Sequence, residues 1–461
     1  MFTDRLEDLA FLAREFERPS SFVVIYGRRR TGKTTLIEQF IKGKNALYFL
    51  ANEEPEVFQR RRFQALLRSV TNDPLLEDKR DPLSWENLLR LFARQEGKKI
   101  LVIDEFQYLA TVFKPFPSIL QSAWDQFLKD SDCMVVLCGS LISLMEGTVL
   151  SYASPLYGRR TGQLLLKGLP FSCLGDFFPG SSVEERIQRF SITGGIPKYL
   201  EEAARYDSVF EMIEKGILDK NAYLFREPDF LLDREAGAAG TYKSILGQIS
   251  SGKKKIGEIA SSFQVHPSHL TRYLKVLRDL GLVERVVPVT EAAPERSKKG
   301  IYRIRDPFLA FWFRYVSPHI DSLEIRETGP AMEKIRASFE TDLVPRIYEE
   351  LCRQSVPGLC SSGKIPFLPG KVGSWWNRAE EIDVVGLGED GVLSGECKYQ
   401  SRPVGEDVLR NLERKTDIML SAEGLRAGRV FYVLFSKKGF SETLTRKAKA
   451  RGDLCLVDLL P

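Results

Sequence analysis

The feature that most constrains this chain is the segment Gly27–Thr34, GRRRTGKT, which follows the apolar run Phe22–Tyr26 and precedes an amphipathic segment. The pattern G-x-x-x-x-G-K-[ST] between a strand and a helix is typical of a loop that wraps a polyphosphate with its backbone N–H groups. Gly27 and Gly32 are expected to leave room for the phosphates, because glycine lacks the Cβ that would obstruct their approach. The sequence therefore predicts a nucleotide site.

The polar residues of this loop have expected roles in binding ATP and Mg²⁺. Lys33 would reach the β- and γ-phosphates, and Thr34 would offer its hydroxyl to Mg²⁺. The helix that begins near Lys33 would direct its first N–H groups toward the anion. The triple arginine suits a polyanion, or it only faces solvent. The residues of the loop that we expect to bind ATP are Gly27, Arg28, Arg29, Arg30, Thr31, Gly32, Lys33, Thr34 and Thr35.

A second apolar run, Ile100–Glu105, ends in two acids. Open α/β sheets bind ligands at the carboxyl ends of their strands, so we expect Asp104 to hold Mg²⁺ together with Thr34. Glu105 is placed to orient the attacking water as a general base. The alternative is that the two acids only end a strand and cap a helix. Ser140 ends another apolar run and would bind the γ-phosphate or the water, with a helix cap as the alternative.

Two arginines follow a glycine in the segment 155–161, PLYGRRT. An arginine brought to the γ-phosphate stabilises the charge of the transition state. We predict this role for Arg159, with an ordinary surface salt bridge as the alternative for either arginine. An arginine supplied by a neighbouring copy would require a homo-oligomer, whereas one supplied in cis would not.

The length and composition indicate several soluble domains. The chain has 461 residues, too many for one hydrophobic core. No run approaches the roughly 18 apolar residues of a membrane helix, so we expect no membrane association. The seven cysteines show no C-x-x-C spacing, and the N-terminus lacks the pattern of an export signal. These features favour a reducing, cytoplasmic location.

A basic segment lies in the second half of the chain. Residues 241–300 hold 11 Lys and Arg against 5 Asp and Glu, a net charge of +6, while the whole chain carries only +5. Lys255–Arg285 has the pattern of a helix, a turn, a second helix and a strand, similar to a winged helix-turn-helix. The residues expected to contact duplex DNA are Arg272, Lys275, Lys298 and Lys299. The alternative is that this domain joins proteins or packs inside the chain.

Two strand-like segments near the C-terminus each carry an acid. Asp383 lies in the first, and Glu396 and Lys398 lie in the second, two residues apart and so on one face of a strand. Two converging carboxylates need a cation such as Mg²⁺ to offset their repulsion. A metal bound there would polarise a phosphodiester, and the nearby lysine would position or deprotonate water. The alternative is that these charges are structural.

The segments FTDRLEDL, GRRRTGKT, VIDEFQYL, CGS, SPLYGRR and GGIPKYL together resemble the archaeal-type ATPase family, a branch of the AAA+/STAND ATPases. The resemblance covers about the first half of the chain and includes its Walker A and Walker B motifs. It implies a preference for adenine and lid-side roles for Arg159 and Pro197. It also implies that Phe2 and Arg5 lie near the adenine.

The C-terminal pattern D-x(12)-E-x-K resembles the signature of the PD-(D/E)xK nuclease superfamily, and in particular the domain fused to this ATPase family. The catalytic residues implied by this resemblance are Asp383, Glu396 and Lys398. Glu340 matches the additional acid of that fold and would join Asp383 and Glu396 as a metal ligand.

The expected architecture is an α/β multidomain chain. A P-loop parallel sheet occupies residues 1–168, a helical lid 169–235, a winged helix-turn-helix 236–325, and a nuclease-like α/β domain 326–461. The expected function is Mg²⁺-dependent ATP hydrolysis coupled to DNA binding, with metal-dependent DNA cleavage as a further expectation. One alternative is a slow ATP-dependent switch for transcription or protein interaction, with an inactive nuclease-like domain. Another is a chaperone or assembly ATPase.

Overall fold

The structure is a computed structural model that describes residues 3–71, 73–77, 81–236, 239–425 and 428–460. The chain divides into two compact units. One consists of Met1–Leu169 with Ile196–Lys198, and the other of Pro170–Gly195 with Tyr199–Pro461. Among the helices that the structure describes, none has both the length and the apolar composition that crossing a bilayer requires.

The first unit is built on a five-stranded sheet in the order β2-β3-β4-β1-β5. All neighbouring strands in it are parallel. The strands are β1 (Ser21–Tyr26), β2 (Ala46–Leu50), β3 (Lys99–Asp104), β4 (Cys133–Gly139) and β5 (Gly162–Leu165). Apolar runs of the sequence, among them Asn45–Phe49 for β2, predict the first four strands, and the structure confirms them. Strand β5 was not predicted, because its side chains alternate between half-buried and exposed.

Helices cover both faces of this sheet, which explains why the central strands are continuous apolar runs. Along β1, Phe22 and Val24 join one core cluster, and Val23 and Ile25 join the other. The helices of this unit are α1 (Leu6–Phe16), α2 (Lys33–Ile41), α3 (Glu56–Thr71), α4 (Trp85–Ala93), α5 (Phe106–Val112), α6 (Phe116–Gln126) and α7 (Ile142–Met145). The parallel sheet expected from alternating strands and helices is therefore confirmed.

The second unit begins with helices and includes a helix-turn-helix. The helices are α8 (Leu174–Phe177), α9 (Val183–Thr193), α10 (Pro197–Ala203, which begins in the first unit), α11 (Val209–Ile213), α12 (Glu227–Ala236), α13 (Ala239–Ser250), α14 (Ile256–Ser262) and α15 (Pro267–Asp279). The antiparallel strands β6 (Val283–Val286) and β7 (Ile301–Ile304) follow α15. This order of elements confirms the pattern predicted for Lys255–Arg285.

A mixed five-stranded sheet ends the second unit, in the order β12-β11-β10-β9-β8. Its first two neighbour pairs along the chain, β8 with β9 and β9 with β10, are antiparallel, and the others are parallel. The strands are β8 (Lys371–Trp376), β9 (Glu381–Gly388), β10 (Gly391–Lys398), β11 (Val430–Ser436) and β12 (Leu454–Asp458). The helices are α16 (Pro307–Phe311), α17 (Ile320–Glu324), α18 (Gly329–Ser338), α19 (Val344–Ser361), α20 (Glu406–Ala422) and α21 (Glu442–Ala450).

The sequence predicts that a Gly/Pro-rich loop over Pro357–Gly373 follows the helix, and the structure has a shorter loop there. Helix α19 continues through Pro357 to Ser361, and β8 begins at Lys371. Proline lacks a backbone N–H and disfavours a helix interior. Here the helix continues because its buried face, which includes Tyr348 and Leu359, packs in the core. The individual boundaries of the three domains expected within residues 169–461 remain predictions.

Candidate functional site

The loop between β1 and α2 has a backbone that only glycine adopts easily. Gly27 has φ +155° and Gly32 has φ +88°. A Cβ on Gly27 would lie 2.4 Å from the carbonyl oxygen of Leu166, whereas one on Gly32 would come no closer than 3.8 Å to Pro197. Gly27 is therefore required by the approach of its own chain. This requirement adds to the room that Gly27 is expected to leave for the phosphates.

The loop holds the ammonium group of Lys33 within its own curve. Lys33 is 6% exposed, and its Nζ donates to the carbonyls of Gly27 and Arg28, each at 2.9 Å. The hydroxyl of Thr31 also donates to the Arg28 carbonyl, at 2.8 Å. The charge is thus fixed beside the backbone N–H groups that open α2, as a polyphosphate site requires.

The N-terminal segment supports this loop from outside. Arg5 Nη2 donates to the carbonyls of Thr31 at 3.0 Å and Lys167 at 2.8 Å. Arg5 was expected near the adenine, and the structure places it against the phosphate loop. Phe2, the other residue expected there, lies outside the described residues.

Thr34 and Asp104, the two residues expected to hold Mg²⁺, are in direct contact. Thr34 Oγ1 donates to Asp104 Oδ2 at 3.0 Å, and Asp104 is only 2% exposed. Tyr48 donates to the same carboxylate oxygen at 2.5 Å. Burial and the neighbouring Asp104 raise the pKa of Tyr48 well above its usual value, so its hydroxyl keeps its proton. Sequence reasoning missed Tyr48, whose only signal is its position on β2, paired with β3.

Glu105 lies beside Ser140 at the same edge of the sheet. Ser140 Oγ donates to Glu105 Oε2 at 2.8 Å, and Gln107 Nε2 donates to the same oxygen. Glu105 has a positive φ of 51° and precedes α5, an uncommon backbone for a residue with a side chain. The structure thus brings Glu105 and Ser140 together. Gln107 is a further contact, which its position two residues after Glu105 could have indicated.

The arginines near the nucleotide site make contacts within the first unit. Arg29 Nη2 donates to the hydroxyl of Tyr108 at 2.8 Å. Arg159 forms a salt bridge with Asp125, with Nη2 and Oδ2 3.1 Å apart, and donates to the carbonyl of Tyr157 at 3.0 Å. For Arg159 the structure therefore shows the salt bridge that was the alternative to a role at the γ-phosphate.

Helix α15 of the helix-turn-helix presents basic residues to solvent. The side chain of His266 accepts a hydrogen bond from the backbone N of Ser268 and so caps the N-terminus of this helix. Arg272 is exposed, donates to the Tyr273 hydroxyl at 2.7 Å, and lies over that ring. Lys275 is exposed as well and forms a salt bridge with Asp279 at 2.6 Å. Two of the residues expected to contact DNA are therefore exposed on one helix, and their contact with DNA stays a prediction.

The loop between β6 and β7 lies against the C-terminal sheet. The backbone N of Val289 donates to the Ser374 carbonyl at 2.9 Å. Lys299 forms salt bridges with Glu291 at 2.8 Å and with Glu423 at 3.4 Å. Because these acids occupy Lys299, it is less suited to a phosphate than expected, while Lys298 is exposed.

The C-terminal charges lie on the neighbouring antiparallel strands β9 and β10. Glu396 is 5% exposed and binds Lys398 at 2.6 Å and Lys415 at 3.2 Å. Asp383 accepts from the backbone N of Cys397 at 2.8 Å. Burial, together with nearby Glu349 and Glu396, raises the pKa of Asp383 to about 8. Burial acts to lower the pKa of Lys398, but Glu396 raises it above its usual value.

The acid whose charge acts on Asp383 is not the one that was expected. Glu340 accepts from Gln188 at 3.1 Å and lies 3.7 Å from Lys437. Glu349, on α19, is instead the acid whose charge acts on Asp383, and burial raises its own pKa. Within the part of the chain that the structure describes, no three His, Cys, Asp or Glu residues are grouped so that they could hold a metal ion. Sequence reasoning missed Glu349 and Lys415.

Three family models match parts of the chain. Residues 2–203 match an ATPase domain predominantly from Archaea, residues 243–285 match a bacterial regulatory protein of the arsR family, and residues 312–415 match archaeal and bacterial proteins of unknown function.

Individual proteins are also similar to this chain. The uncharacterized protein MJECL04 of Methanocaldococcus jannaschii is 34% identical over 465 residues, covering 100% of this chain and 99% of that protein. The uncharacterized ATP-binding protein MJ0423 of the same organism is 47% identical over 45 residues, 10% of this chain and 76% of that protein. The Walker-type ATPase PABY2304 of Pyrococcus abyssi has a TM-score of 0.51 at 19% identity, covering 68% of this chain and 96% of that one, and it shows the fold alone.

Proposed function

The chain belongs to the family of archaeal P-loop ATPases that carry an arsR-type helix-turn-helix, and from this premise we propose that it couples Mg²⁺-dependent ATP hydrolysis to binding of duplex DNA. The observation that carries the proposal is the hydrogen bond between Thr34 and Asp104 at 3.0 Å, beside the loop that holds Lys33. A hydroxyl and a carboxylate next to a polyphosphate loop are the donors that P-loop enzymes offer to Mg²⁺.

Each residue at the sheet edge has its own proposed role in hydrolysis. Lys33 and the N–H groups of the loop would bind the phosphates, and Thr34 and Asp104 would hold Mg²⁺, which neutralises charge on the β- and γ-phosphates when bound. Glu105 would orient the attacking water, and Ser140 fixes the Glu105 carboxylate through its hydrogen bond. Lys33 is already held by two carbonyls, so the loop is preorganised around its charge.

Arg159 remains the proposed source of positive charge at the γ-phosphate. To act there it would have to leave Asp125, its partner in the surface salt bridge. Arg159→Ala and Asp125→Ala are matched variants, because both remove the same ion pair. A loss of turnover by about 10³-fold or more in Arg159→Ala alone would support the role, and equal behaviour of the two variants would leave only the salt bridge.

Duplex DNA is the proposed partner of the helix-turn-helix. The second helix of such a domain commonly enters the major groove, and here α15 exposes Arg272 and Lys275. Lys298 would meet a phosphate, and Lys299 would do so only after leaving Glu291 and Glu423.

The direct test is ATP turnover of the full chain with and without duplex DNA. We expect stimulation by DNA that falls as the salt concentration rises, because phosphate contacts release counterions. Glu105→Gln should still bind ATP but lose at least ~100-fold in turnover, as general-base catalysis contributes ~10²–10⁴-fold. Lys33→Ala should lose binding of ATP. Wild-type turnover in Lys33→Ala, or indifference to DNA, would refute the proposal.

A second candidate function is metal-dependent cleavage of DNA at the C-terminal site. Asp383 and Glu396 lie on adjacent strands with Lys398 beside them, and two carboxylates with a cation can serve a divalent metal. The alternative is a slow regulatory switch whose C-terminal domain is inactive. Its support is that Glu396 is already neutralised by Lys398 and Lys415. DNA cleavage with Mg²⁺ and with Mn²⁺ by wild type, Asp383→Asn and Lys398→Ala distinguishes the two.

A further inference from the structure

A cavity of about 280 Å³ lies within the second unit, below the two-stranded wing of the helix-turn-helix. Its walls come from β6 and β7, from α19, and from the neighbouring strands β8 and β9 of the C-terminal sheet. The volume is close to the lower end, ~300 Å³, of sites for small ligands. It can take one nucleotide and is far too small for a duplex.

Charges of both signs line the cavity. The cations are Lys254, Arg305 and Arg346, the acids include Glu349 and Glu381, and the charges of Glu381 and Arg346 both act on Glu349. Another lining arginine, from β7, is already paired with Glu284 and Glu350. A ligand that carries a phosphate would place it against the cations of this lining.

Aromatic side chains contribute to the same lining. Tyr302 and Trp376 both line the cavity, and both are half-buried. Aromatic rings stack on nucleobases with little dependence on the base, and an arginine beside them binds the phosphate with charge-assisted hydrogen bonds. The lining thus combines the two kinds of group that a nucleotide needs.

Two acids of the cavity lining are close to the C-terminal carboxylate site. Glu381 and Asp383 are two residues apart on β9, so their side chains emerge on the same face of the sheet. Glu349 lines the cavity and also acts electrostatically on Asp383. A group in the cavity is therefore next to the site for which cleavage was proposed above.

We propose that this cavity binds a single unpaired nucleotide, stacked on Trp376, with its phosphate at Arg305 and Arg346. The inference rests on the proposed action of this protein on nucleic acid, and it names the substrate class as an unpaired nucleotide, either free or at the end of a strand. A base inside a duplex is stacked and paired, so it does not enter a cavity of this size.

Tryptophan fluorescence of the full chain provides a direct readout. Trp376 is half-buried, whereas the other tryptophans of the chain are buried, namely Trp85, Trp124, Trp312 and Trp375. The titration uses the Lys33→Ala background to remove binding at the phosphate loop, and EDTA to prevent cleavage. The probes are deoxyadenosine monophosphate, a 5′-phosphorylated tetranucleotide and a blunt duplex.

We expect the mononucleotide and the tetranucleotide to quench the fluorescence and the duplex to leave it unchanged. Tighter binding of the mononucleotide would identify the ligand as a free nucleotide, and tighter binding of the tetranucleotide would identify it as the end of a strand. Arg305→Ala and Arg346→Ala should each weaken binding at least about tenfold, since each removes a charge-assisted contact. Arg296→Ala is the matched control, because Arg296 is an exposed arginine of the same wing loop that does not line the cavity.

The inference is overturned if neither single-stranded probe quenches, or if both cavity variants bind as tightly as the control. Thermal unfolding of each variant separates a local effect from a folding defect, and the two arginines give independent results if one variant fails to fold. Because the titration contains no metal and no working phosphate loop, its failure leaves the proposed ATPase untouched. Conversely, absence of DNA-stimulated hydrolysis does not alter the expected quenching.

Discussion

Gly27→Ala tests whether the first glycine of the phosphate loop is required by the fold or by the nucleotide. The added Cβ would lie 2.4 Å from the carbonyl oxygen of Leu166 and 3.2 Å from its carbonyl carbon. The backbone N of Leu166 donates to the carbonyl of Tyr26 at 2.7 Å, so Leu166 cannot withdraw without breaking the bond that joins it to β1. The added Cβ would clash with backbone atoms of Leu166, so no flexible side chain can move aside to relieve the contact.

The expected loss of unfolding free energy has two parts. Overpacking costs ~1–3 kcal/mol, and a residue with a side chain at an unfavourable φ costs at least ~1 kcal/mol. We therefore expect about 2–4 kcal/mol in total. At ~2–4 °C per kcal/mol for a unit of this size, Tm should fall by about 4–16 °C.

Two other glycines of the same unit serve as matched controls. Gly97 has φ +72° and a Cβ there would meet nothing within 4 Å, so Gly97→Ala should cost only the backbone strain, ~1–2 kcal/mol. Gly32→Ala should cost a similar amount, because its nearest contact would be 3.8 Å. It should nevertheless weaken ATP binding more than Gly97→Ala does, since Gly32 lies where the phosphates approach.

Calorimetry of the full chain gives the Tm of each variant, and titration with an ATP analogue below that temperature gives the affinity. If Gly27→Ala and Gly97→Ala lowered Tm equally, the contact with Leu166 would not be the reason for a glycine at this position. If Gly32→Ala bound the analogue as well as Gly97→Ala, the loop would not be the phosphate site.

Further predictions concern other contacts of the two sites. Tyr48→Phe removes a hydrogen bond to the buried carboxylate of Asp104 and should lower the unfolding free energy by about 1.5–3 kcal/mol, measured by chemical denaturation; an unchanged midpoint would contradict the contact. The pKa of Asp383 is raised to about 8 in the folded protein. Asp383 therefore contributes fully to stability at a pH below the pKa it has in the unfolded chain, and this contribution is lost as the pH rises through 8. In metal-free buffer, Tm of the wild type should therefore fall between pH 5 and 9 more than Tm of Asp383→Asn, and parallel profiles would refute this. Lys298→Ala should weaken duplex DNA binding and lower the salt slope by about 1, as measured by anisotropy. Lys299→Ala should change the DNA affinity and the salt slope less than Lys298→Ala does, because Lys299 is already paired with acids. Equal effects of the two variants would show that this pairing does not hold when DNA binds.

Local sequence was sufficient for most of the first unit. Continuous apolar runs predicted β1, β3 and β4 as buried parallel strands, and the carboxyl ends of such strands meet at one edge of a sheet. This rule brings Thr34, Asp104, Glu105 and Ser140 together without any knowledge of the packing, and the structure shows the contacts among them. The helix-turn-helix was predictable for a similar reason, because its apolar spacing and its turn are local.

Contacts between distant segments were not predictable from the sequence. Tyr48 donates a hydrogen bond to Asp104, Leu166 leaves no room for a Cβ on Gly27, and the charge of Glu349, where Glu340 had been expected, acts on Asp383. None of these pairs has a fixed spacing along the chain, because each depends on which helix or strand packs beside which. The continuation of α19 through Pro357 has the same origin, since burial of one helix face outweighed the local cost of a proline.

The sequence by itself therefore determined the central strands of the first sheet, the phosphate loop and the acids that end β3, since these follow from side-chain periodicity and backbone geometry over a few residues. Only the tertiary structure decided that Tyr48 donates to the carboxylate that Thr34 also contacts. It also decided that Lys299 of the wing is already paired with acids. The physical reason is that burial and charge pairing act through space, and their partners are fixed only when the helices and sheets have packed.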